Sequence, residues 1–570
     1  MDYIHEYAKL LSGHIPSATL AEISEHIKMP PDYNMGHFAY SCFKLAKEMK
    51  KAPAIIASEI AEAINSKKPD WLDRAAAVNA YINIFISRQI FMQTVLENVL
   101  KHREKFGSSN LGANEPFIVE YSSPNIAKYF SVGNMASTII GHALSNILEH
   151  VGYKVIRLNF LGDWGTQFGK LISAYKKWGD KNEIDKTGIE GLTKLYVKFH
   201  EEADKDDSLN DEARAWLLKM QKGDDEGLSL WRWICDLSIA DFSKVYKRLD
   251  INFDSIRGES YYNDGQMDKV AKDLGKLGLL TESEGAKIVD LEAYNMPPCL
   301  ILRSDGGTLY PTRDIAAAID RYDTYKFKKC IIVTGNEQIL HFAQWMKVLE
   351  LMGYPWAKDL EHIPYGFYRF ESGKMSARRG NVIIAEDLFD EAVKKTLEII
   401  KEKNPGLENK EKVAEEVGIG AIIFYQMYNN RIKDVMFSWD RMLSFEGETG
   451  PYVQYAHARA CSVLEKAGFD AEINMSFDPS LICDDESFEI ARILYTFPER
   501  IAEAANKYEP YLISRHLMAL AQAFNKFYHA HTVLTEDMEL RKSRIALTYA
   551  VKLAASCGLA LLGIKSPEKM

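Results

Sequence analysis

Two short segments of the chain have residue types suited to binding phosphate groups. The first is Ser131-Val132-Gly133-Asn134, in which a glycine stands just before a predicted helix. Free backbone N–H groups and the helix dipole favour an anion at a helix N-terminus, and glycine lets a nucleotide approach the backbone closely. Taken alone this pattern is weak, because many strand-to-helix turns carry a glycine only to turn the chain.

The second segment is a basic loop, Gly373-Lys374-Met375-Ser376-Ala377-Arg378-Arg379-Gly380-Asn381. Its cations and flanking glycines make it too polar for a core strand. A mobile cationic loop suits neutralisation of a pyrophosphate leaving group. An ordinary basic surface turn would explain the segment equally well if it stood alone.

Periodicity places the first segment inside a parallel sheet. Residues 117–121 and 154–160 read as buried strands, and the helix predicted between them has its apolar residues on one stripe. A strand, loop, helix and strand within about 45 residues form a βαβ unit, which implies parallel strands. The pattern returns later, where predicted strands at 307–310 and 329–334 each precede a helical stripe.

The predicted fold class is α/β, with further domains before and after the parallel-sheet domain in the sequence. A helical, acid-rich insertion is expected at about 166–290, and no strand is expected beyond residue 389. Within the first region, helices are predicted over 38–49 and 53–65. The expected domains are a small α+β domain (1–110), a Rossmann-type catalytic domain (111–385), a helical connection (386–445) and an all-α bundle (446–570).

Composition narrows the class of protein. The seven cysteines form no C-x-x-C pair and no His-Glu-x-x-His helix is present, so disulfides and zinc are not expected. No organic cofactor is expected either. The N-terminus lacks the pattern of a signal peptide, and the apolar runs are too short to span a membrane, so a cytoplasmic location is expected. The net charge of −10 argues against DNA binding, although a local basic face could still bind another nucleic acid.

Taken together, the two phosphate segments resemble the nucleotide motifs of class I aminoacyl-tRNA synthetases, and the detailed similarity is to the arginine-specific family. The similarity covers most of the chain and is weakest in residues 1–110 and in the acidic insertion. Five blocks carry it: Val119-Glu120-Tyr121-Ser122-Ser123-Pro124-Asn125-Ile126-Ala127-Lys128, Leu161-Gly162-Asp163-Trp164-Gly165-Thr166-Gln167-Phe168-Gly169, Tyr310-x-Thr312-Arg313-Asp314, Trp439-Asp440-Arg441-Met442-Leu443-Ser444-Phe445-Glu446-Gly447 and Thr449-Gly450-Pro451-Tyr452-Val453-Gln454-Tyr455-Ala456-His457-Ala458-Arg459.

The resemblance implies an arginine site. Paired carboxylates suit a guanidinium, which is planar, permanently charged and rich in donors. An acid in a first helical turn would also satisfy the helix dipole, which is a competing explanation for Asp314. The family positions that bind the arginine side chain are matched here by Glu120, Tyr310 and Asp314. Those that hold the amino and carboxyl ends of the amino acid are matched by Ser123 and Asn125, and a further arginine contact is matched by Gln338. Ser123 and Asn125 are also ordinary turn residues.

The resemblance further implies that ATP, as its Mg²⁺ complex, binds near Lys128, Lys374, Met375 and Ser376. His341 and Gln344 match positions beside the adenine and are equally consistent with structural roles. The family's first nucleotide motif reads His-x-Gly-His, whereas this chain has Ser131-Val132-Gly133-Asn134. A hydroxyl and an amide can still donate hydrogen bonds to phosphate oxygens.

The implied activity is ATP-dependent activation of L-arginine and its transfer to tRNA(Arg) by a monomer. Residues 1–110 and the C-terminal bundle are the implied tRNA contacts. Asn525, Tyr528 and His529 are candidates for contacting bases, and packing within the bundle explains them equally well. Two alternatives stay open. One is a related tRNA-binding regulatory protein without catalysis, which the missing histidines favour, and the other is a synthetase for another amino acid.

Overall fold

The computed structural model describes residues 2–15, 17–30, 33–263, 265–304, 307–370, 383–470 and 476–570. In the N-terminal region, four strands form an antiparallel sheet in the order β1-β2-β4-β3, flanked by helices. This agrees with the predicted α+β fold. The elements are α1 (Tyr3–Ser12), α2 (Leu20–His26), β1 (Ile27–Lys28), β2 (Phe38–Ser41), α3 (Leu45–Met49), α4 (Pro53–Ser66), β3 (Leu72–Val78), β4 (Tyr81–Ile86) and α5 (Arg88–His102).

The prediction of a helix over 38–49 is wrong in its first part. Phe38–Ser41 is strand β2, paired with β4, and only Leu45–Met49 is helical. Phe38 and Tyr40 are buried while their neighbours are half-buried, which is the two-residue alternation of a strand. The helix expected over 53–65 is present as Pro53–Ser66.

The centre of the fold is a five-stranded sheet in the order β12-β11-β5-β6-β7, and every pairing in it is parallel. This confirms the Rossmann-type architecture. Nearly all of β5 is buried, as expected for a parallel strand covered by helices on both faces. The elements are β5 (Pro116–Glu120), α6 (Val132–His150), β6 (Lys154–Asn159) and, after an insertion, β7 (Ser255–Ile256), with β11 (Lys329–Gly335), α14 (Ile339–Leu351) and β12 (Leu360–Tyr365) in the second half.

The insertion after β6 is helical over most of its length. Its helices are α7 (Thr166–Trp178), α8 (Lys181–Thr187), α9 (Ile189–Ala203), α10 (Ser208–Gln221) and α11 (Asp225–Arg248). The prediction of a helical segment up to residue 290 is wrong at its end. There, after α12 (Gln266–Lys276), an antiparallel hairpin forms from β8 (Leu280–Ser283) and β9 (Ala286–Val289) and pairs with β10 (Cys299–Leu302).

The strand expected at 307–310 is absent from the described part of that segment. Helix α13 begins at Tyr310 and runs to Tyr325, with Pro311 in its first turn, and only an isolated bridge joins Thr308 to Leu302. Proline is favoured at the start of a helix because it has no N–H to satisfy there. Only the last residue of the predicted strand, Tyr310, belongs to the helix.

The remainder of the chain is mostly helical, as predicted, with one correction. A three-residue strand, β14 (Val435–Phe437), pairs in parallel with β13 (Tyr368–Phe370), so the prediction of no strand beyond residue 389 is wrong. The helices are α15 (Ala385–Lys403), α16 (Lys410–Met427), α17 (Trp439–Met442), α18 (Gly450–Ala467), α19 (Asp485–Lys507), α20 (Tyr511–Ala530) and α21 (Met538–Leu561).

Contacts divide the chain into two compact units. The first consists of Met1–Phe106, Ala460–Thr496 and Gln522–Ala554, and the second of Gly107–Arg459, Phe497–Ala521 and Ala555–Met570. The parallel sheet lies in the second unit. Among the described residues, α21 alone is long and apolar enough to cross a membrane, but 72% of its apolar window is buried in protein, as in the core helix of a globular fold.

Candidate active site

The loop after β5 has an unusual backbone. Ser122, Ser123 and Ala127 have φ angles of 73°, 45° and 60°, in the left-handed region that residues other than glycine rarely adopt. Each such residue costs on the order of 1–3 kcal/mol and persists only where its surroundings impose it. Such strain is common at functional sites, and this loop holds the predicted site residues Ser123 and Asn125.

A buried hydrogen-bond network holds this loop. The Ser122 hydroxyl lies 2.8 Å from the Tyr246 hydroxyl and accepts a 2.8 Å bond from Thr138. Asn159, at the end of β6, donates to Tyr246 at 3.0 Å and accepts from the Ser123 N–H at 3.1 Å. The strained loop is therefore joined to the insertion helix α11 at two points, directly through Ser122 and through the Asn159 side chain at Ser123.

Helix α11 makes a second contact to the same loop, since the Ser238 hydroxyl accepts the Ala127 N–H at 3.0 Å. Sequence analysis did not identify Ser238, Tyr246 or Asn159. Their partners lie 111, 124 and 36 residues away along the chain, so no local pattern marks them.

The first phosphate segment forms the N-terminus of α6, which begins at Val132. Ser131 and Asn134 cap it reciprocally. The Ser131 hydroxyl accepts from the Asn134 N–H at 3.3 Å, and Asn134 Oδ1 accepts from the Ser131 N–H at 3.1 Å and from its hydroxyl at 2.8 Å. A Cβ on Gly133 would meet only the Ser131 hydroxyl, at 3.5 Å, so the approach to this helix end is open. Lys128 is exposed in the preceding loop.

Residues that follow the second phosphate segment are hydrogen-bonded to the first. The Val132 N–H donates to the Ile383 carbonyl at 3.0 Å, and the Ala385 N–H donates to the Phe130 carbonyl at 2.9 Å. Ser131 and Ile384 thus form an antiparallel bridge. Lys374, Met375 and Ser376 lie outside the described residues. The described residues that follow them, Ile383 to Ala385, lie at the N-terminus of α6.

The predicted acids lie at the carboxyl edge of the sheet and on α13. Glu120 ends β5 and is 5% exposed. Asp314 lies one turn beyond the start of α13, so it has no first-turn position from which to satisfy the helix dipole. Its Oδ2 is 2.6 Å from Nε2 of His341. Arg321, further along α13, forms a buried ion pair with Glu120 at 2.5 Å.

The electrostatics of this region favour a cationic ligand. Burial raises the pKa of Glu120, the Arg321 guanidinium opposes that rise, and the charge of Asp314 adds to it. Burial also raises the pKa of Glu259 to about 7, although Arg313 lies 2.7 Å away, and Asp314 and Asp163 add to the rise. Carboxyls that raise each other's pKa would be relieved by a cation among them.

Other predicted residues are placed as follows. Tyr310 is 65% exposed at the first position of α13, and Gln338 is exposed in the turn between β11 and α14. His341 contacts Asp314, whereas Gln344 donates to the carbonyls of Pro297 and Pro298 at 2.8 and 3.1 Å. The Gln344 contacts support its structural interpretation.

The residues proposed to contact bases lie on α20, in the first compact unit. Tyr528 is exposed, and its ring lies 6.2 Å from His529 in an edge-on arrangement and 6.3 Å from Phe524. Asn525 is half-buried on the same helix. These facts are compatible with either packing or base contact.

Among the described residues, one acid and histidine group has the spacing of a cation site: Asp484, Glu486 and His531. Lys526 Nζ lies 3.4 Å from a Glu486 carboxylate oxygen, and Nη2 of Arg544 lies 3.2 Å from Nδ1 of His531. Two cations beside the group already compensate its charge, so it makes a poor site for a further cation.

Three family models match the chain. The one described as tRNA synthetases class I (R), catalytic domain, matches residues 95–439, the DALR anticodon binding domain matches 453–570, and the arginyl tRNA synthetase N terminal domain matches 5–86. The matched segments together cover most of the sequence.

Relatives and solved structures agree with these matches. The arginine–tRNA ligases of Alkaliphilus metalliredigens and Halothermothrix orenii are 50% and 49% identical over the full length of both chains. The Thermus thermophilus arginyl-tRNA synthetase superposes with a TM-score of 0.82 at 25% identity, covering 99% of each chain. The Plasmodium falciparum enzyme shares the fold, with a TM-score of 0.80 at 22% identity over 100% of this chain and 98% of that one. The chain belongs to the class I aminoacyl-tRNA synthetase family specific for arginine.

Proposed function

We propose that the chain is an arginine–tRNA ligase that activates L-arginine with ATP and transfers the arginyl group to the terminal ribose of tRNA(Arg). The observation that carries this proposal is the pair of acids formed by Glu120, at the carboxyl edge of the parallel sheet, and Asp314 on α13, which is near enough for its charge to raise the pKa of Glu120. Ligands of open α/β sheets bind at that edge. A guanidinium is the natural partner of two such carboxylates.

The proposed arginine site consists of Glu120 and Asp314 for the guanidinium, with Tyr310 along the side chain. Ser123 and Asn125 would hold the amino and carboxyl ends, and Gln338 would make a further contact to the arginine. The strained loop that carries Ser123 supports this role, because its backbone is fixed by buried partners rather than free to relax. A preorganised loop lowers the entropy lost when substrate binds.

The proposed ATP site is the capped N-terminus of α6. Its open approach at Gly133 and the dipole of α6 suit a phosphate, and Lys128 is near enough in sequence to add a positive charge. Lys374, Met375 and Ser376 are proposed to complete it from the basic loop. Mg²⁺ would arrive with ATP as part of the substrate, since this cation binds chiefly to phosphates and water.

The proposed chemistry relies on positioning. The carboxylate of arginine attacks the α-phosphorus of ATP, the bond to the bridging oxygen breaks, and pyrophosphate leaves. The terminal ribose hydroxyl of the tRNA then attacks the carbonyl carbon, and AMP leaves. The protein's contribution is to hold the reactants in line and to neutralise the charge that develops on the leaving group.

The N-terminal α+β region (1–110) and the C-terminal helices (446–570), the latter including Asn525, Tyr528 and His529, are proposed to contact the tRNA. The catalytic domain (111–385) and its helical connection (386–445) lie between them in the sequence. We further propose a monomer that acts in the cytoplasm. The match of residues 453–570 to an anticodon binding domain supports the tRNA role of the C-terminal helices.

Charging of total tRNA with each of the twenty amino acids tests the proposal. Arginine alone should give charged tRNA. Glu120→Gln should reduce charging at least about a hundredfold, the size expected when a buried charged partner is lost. Glu115→Gln, an exposed acid just before the same strand, is the matched control and should leave charging unchanged. Charging with another amino acid, or none with arginine, would overturn the proposal, and tight tRNA binding without charging would favour a regulatory protein.

A further inference from the structure

One basic side chain beside the proposed arginine site has no role in the reaction described so far. Arg321 lies on α13, and its Nη1 is 2.5 Å from Oε2 of Glu120. The two side chains are only 5% and 6% exposed, and the Arg321 guanidinium also lies 5.0 Å from the centre of the Phe160 ring. Withdrawing two charges from water is costly, so a buried ion pair is weak evidence for a purely stabilising role.

The ion pair leaves part of Glu120 for a ligand. A carboxylate has two oxygens, and Arg321 contacts Oε2. Among the described residues, buried Oε2 has no hydrogen-bond partner beyond this ion pair, and no donor reaches Oε1. Glu120 can therefore hold Arg321 with one oxygen and accept a donor from a substrate with the other.

The titratable groups around Glu120 and Arg321 come from three elements, namely α13, β11 and the turn Glu259–Asn263. Arg321 and Asp314 lie on α13, Cys330 lies on β11, and Tyr262 faces Arg321 from the turn Glu259–Asn263. Burial raises the pKa of the Cys330 thiol to about 12 and raises that of the Tyr262 phenol further, so both remain neutral. The two carboxylates and one guanidinium leave a net charge of −1.

We propose that Arg321 is a positioning residue that keeps Glu120 as an anionic acceptor and so fixes the substrate of this site as a side chain with a single positive charge. This inference rests on the proposed function. Without Arg321, Glu120 would be a buried acid beside Asp314, and both burial and the like charge would favour its protonated form. A protonated carboxyl has lost its charge and uses one oxygen as an O–H donor, so it is a much weaker partner for a guanidinium, which has only donors.

The charge count also explains why related side chains are rejected. A neutral isostere such as citrulline would leave the net charge of −1 without a partner in a buried place. Lysine has the right charge but lacks the planar fork that reaches two carboxylates together.

The test is the KM for arginine in tRNA charging, measured between pH 6.5 and 9 for Arg321→Met and Arg321→Lys. At pH 7 the Arg321→Met enzyme should show a KM for arginine about 10- to 100-fold higher, the range for loss of a charged hydrogen-bond acceptor. The KM for ATP should stay within about twofold. As the pH rises the KM for arginine should fall back towards the wild-type value, because Glu120 loses its proton, and Arg321→Lys should restore most of the affinity at pH 7.

Two controls separate positioning from structure. In a Glu120→Gln background, Arg321→Met should add no further rise in the KM for arginine, because Arg321 acts only through Glu120. This double variant also removes both buried charges together, so it should fold even if Arg321→Met does not. Arg257→Met breaks an ion pair to Asp320, which lies on α13 beside Arg321, and should not change the KM for arginine.

An unchanged KM for arginine, an equal rise at every pH, or a further rise in the Glu120→Gln background would overturn the role of Arg321 while wild-type charging still supports the proposed function. A wild-type protein that charges no tRNA with arginine would overturn the proposed function, and this inference with it.

Discussion

The backbone N–H of Val132 donates a 3.0 Å hydrogen bond to the carbonyl oxygen of Ile383. Val132 is the first residue of α6, and Ile383 is the first described residue after the basic loop. The bond therefore ties the end of one phosphate segment to the start of the other.

Val132→Pro removes this donor and keeps the helix. Proline fits the first helical position, and the extended backbone of Ser131 (φ −83°, ψ 165°) is one that proline accepts before it. Loss of one hydrogen bond of about 0.5–1.5 kcal/mol predicts a fall in adenylate formation of about 2- to 12-fold, measured by ATP–pyrophosphate exchange. Leu20→Pro, at the first position of α2, is the control and should have no effect. An unchanged exchange rate for Val132→Pro would show that the tie between the two segments does not matter for catalysis.

Asn134 has two separable roles in this account. Its Oδ1 caps the helix through Ser131, and its amide nitrogen is proposed to donate to ATP. Asn134→Asp keeps the capping acceptor but removes the donor and adds a negative charge, so adenylate formation should fall by about 10²–10³ with no loss of thermal stability. Asn134→Ala should lose a similar rate and also about 1 kcal/mol of stability, because the cap is lost. Full activity of Asn134→Asp would show that the nitrogen has no part in catalysis.

Asp314→Asn should sharply weaken arginine use while ATP binding is retained. The change is nearly isosteric and removes one charge facing the proposed guanidinium, which costs about 3–5 kcal/mol, or roughly two to four decades in kcat/KM. Asp320→Asn is the matched control on the same helix, since Asp320 pairs instead with Arg257 and Tyr262. A fall of less than about tenfold in kcat/KM for arginine would mean that Asp314 serves mainly to orient His341.

Acid should destabilise the N-terminal region through His37. Burial lowers the pKa of this histidine from 6.5 to about 4, with nearby Arg492 and Arg88 adding to the effect. In the unfolded chain His37 binds a proton from about pH 6.5 downwards, whereas in the folded chain it does so only near pH 4. The contribution of neutral His37 to the free energy of unfolding is therefore fully present above pH 6.5 and is lost as the pH falls. The full difference is on the order of 3 kcal/mol.

His37→Gln should reduce this loss, because glutamine can still accept the Ile86 N–H but does not titrate in this range. Urea unfolding followed by circular dichroism at pH 7 and pH 5 gives the comparison, with His5→Gln as the control for a surface histidine on α1. Equal acid sensitivity of the wild type and His37→Gln would place the effect elsewhere.

Sequence patterns predicted the parts of the fold whose stabilising contacts are local. The stripe on α6 and the apolar run of β5 belong to single elements, so periodicity was enough to place them. Phe38–Ser41 was mistaken for helix because four residues are too few to separate a two-residue period from a helical one. Val435–Phe437 is shorter still, and its pairing with Tyr368–Phe370 depends on residues that lie far away in the sequence.

The candidate site divides in the same way. Residues in contiguous motifs, such as Glu120 and Asp314, could be found from the sequence alone. Arg321 and Tyr246 could not, because each is one helix-face residue whose partner lies on a distant strand or loop. Charge and hydroxyl groups on a helix usually face water, and only the folded chain shows that these two do not.

ATP–pyrophosphate exchange with arginine tests the central claim most directly. With tRNA(Arg) present, the protein should catalyse exchange that depends on arginine and is not supported by lysine or citrulline. Because the family resemblance implies that activation needs the tRNA, exchange should be lost when the tRNA is omitted. If the protein binds tRNA(Arg) tightly but shows no arginine-dependent exchange, Glu120 and Asp314 are not a substrate site and the account is contradicted.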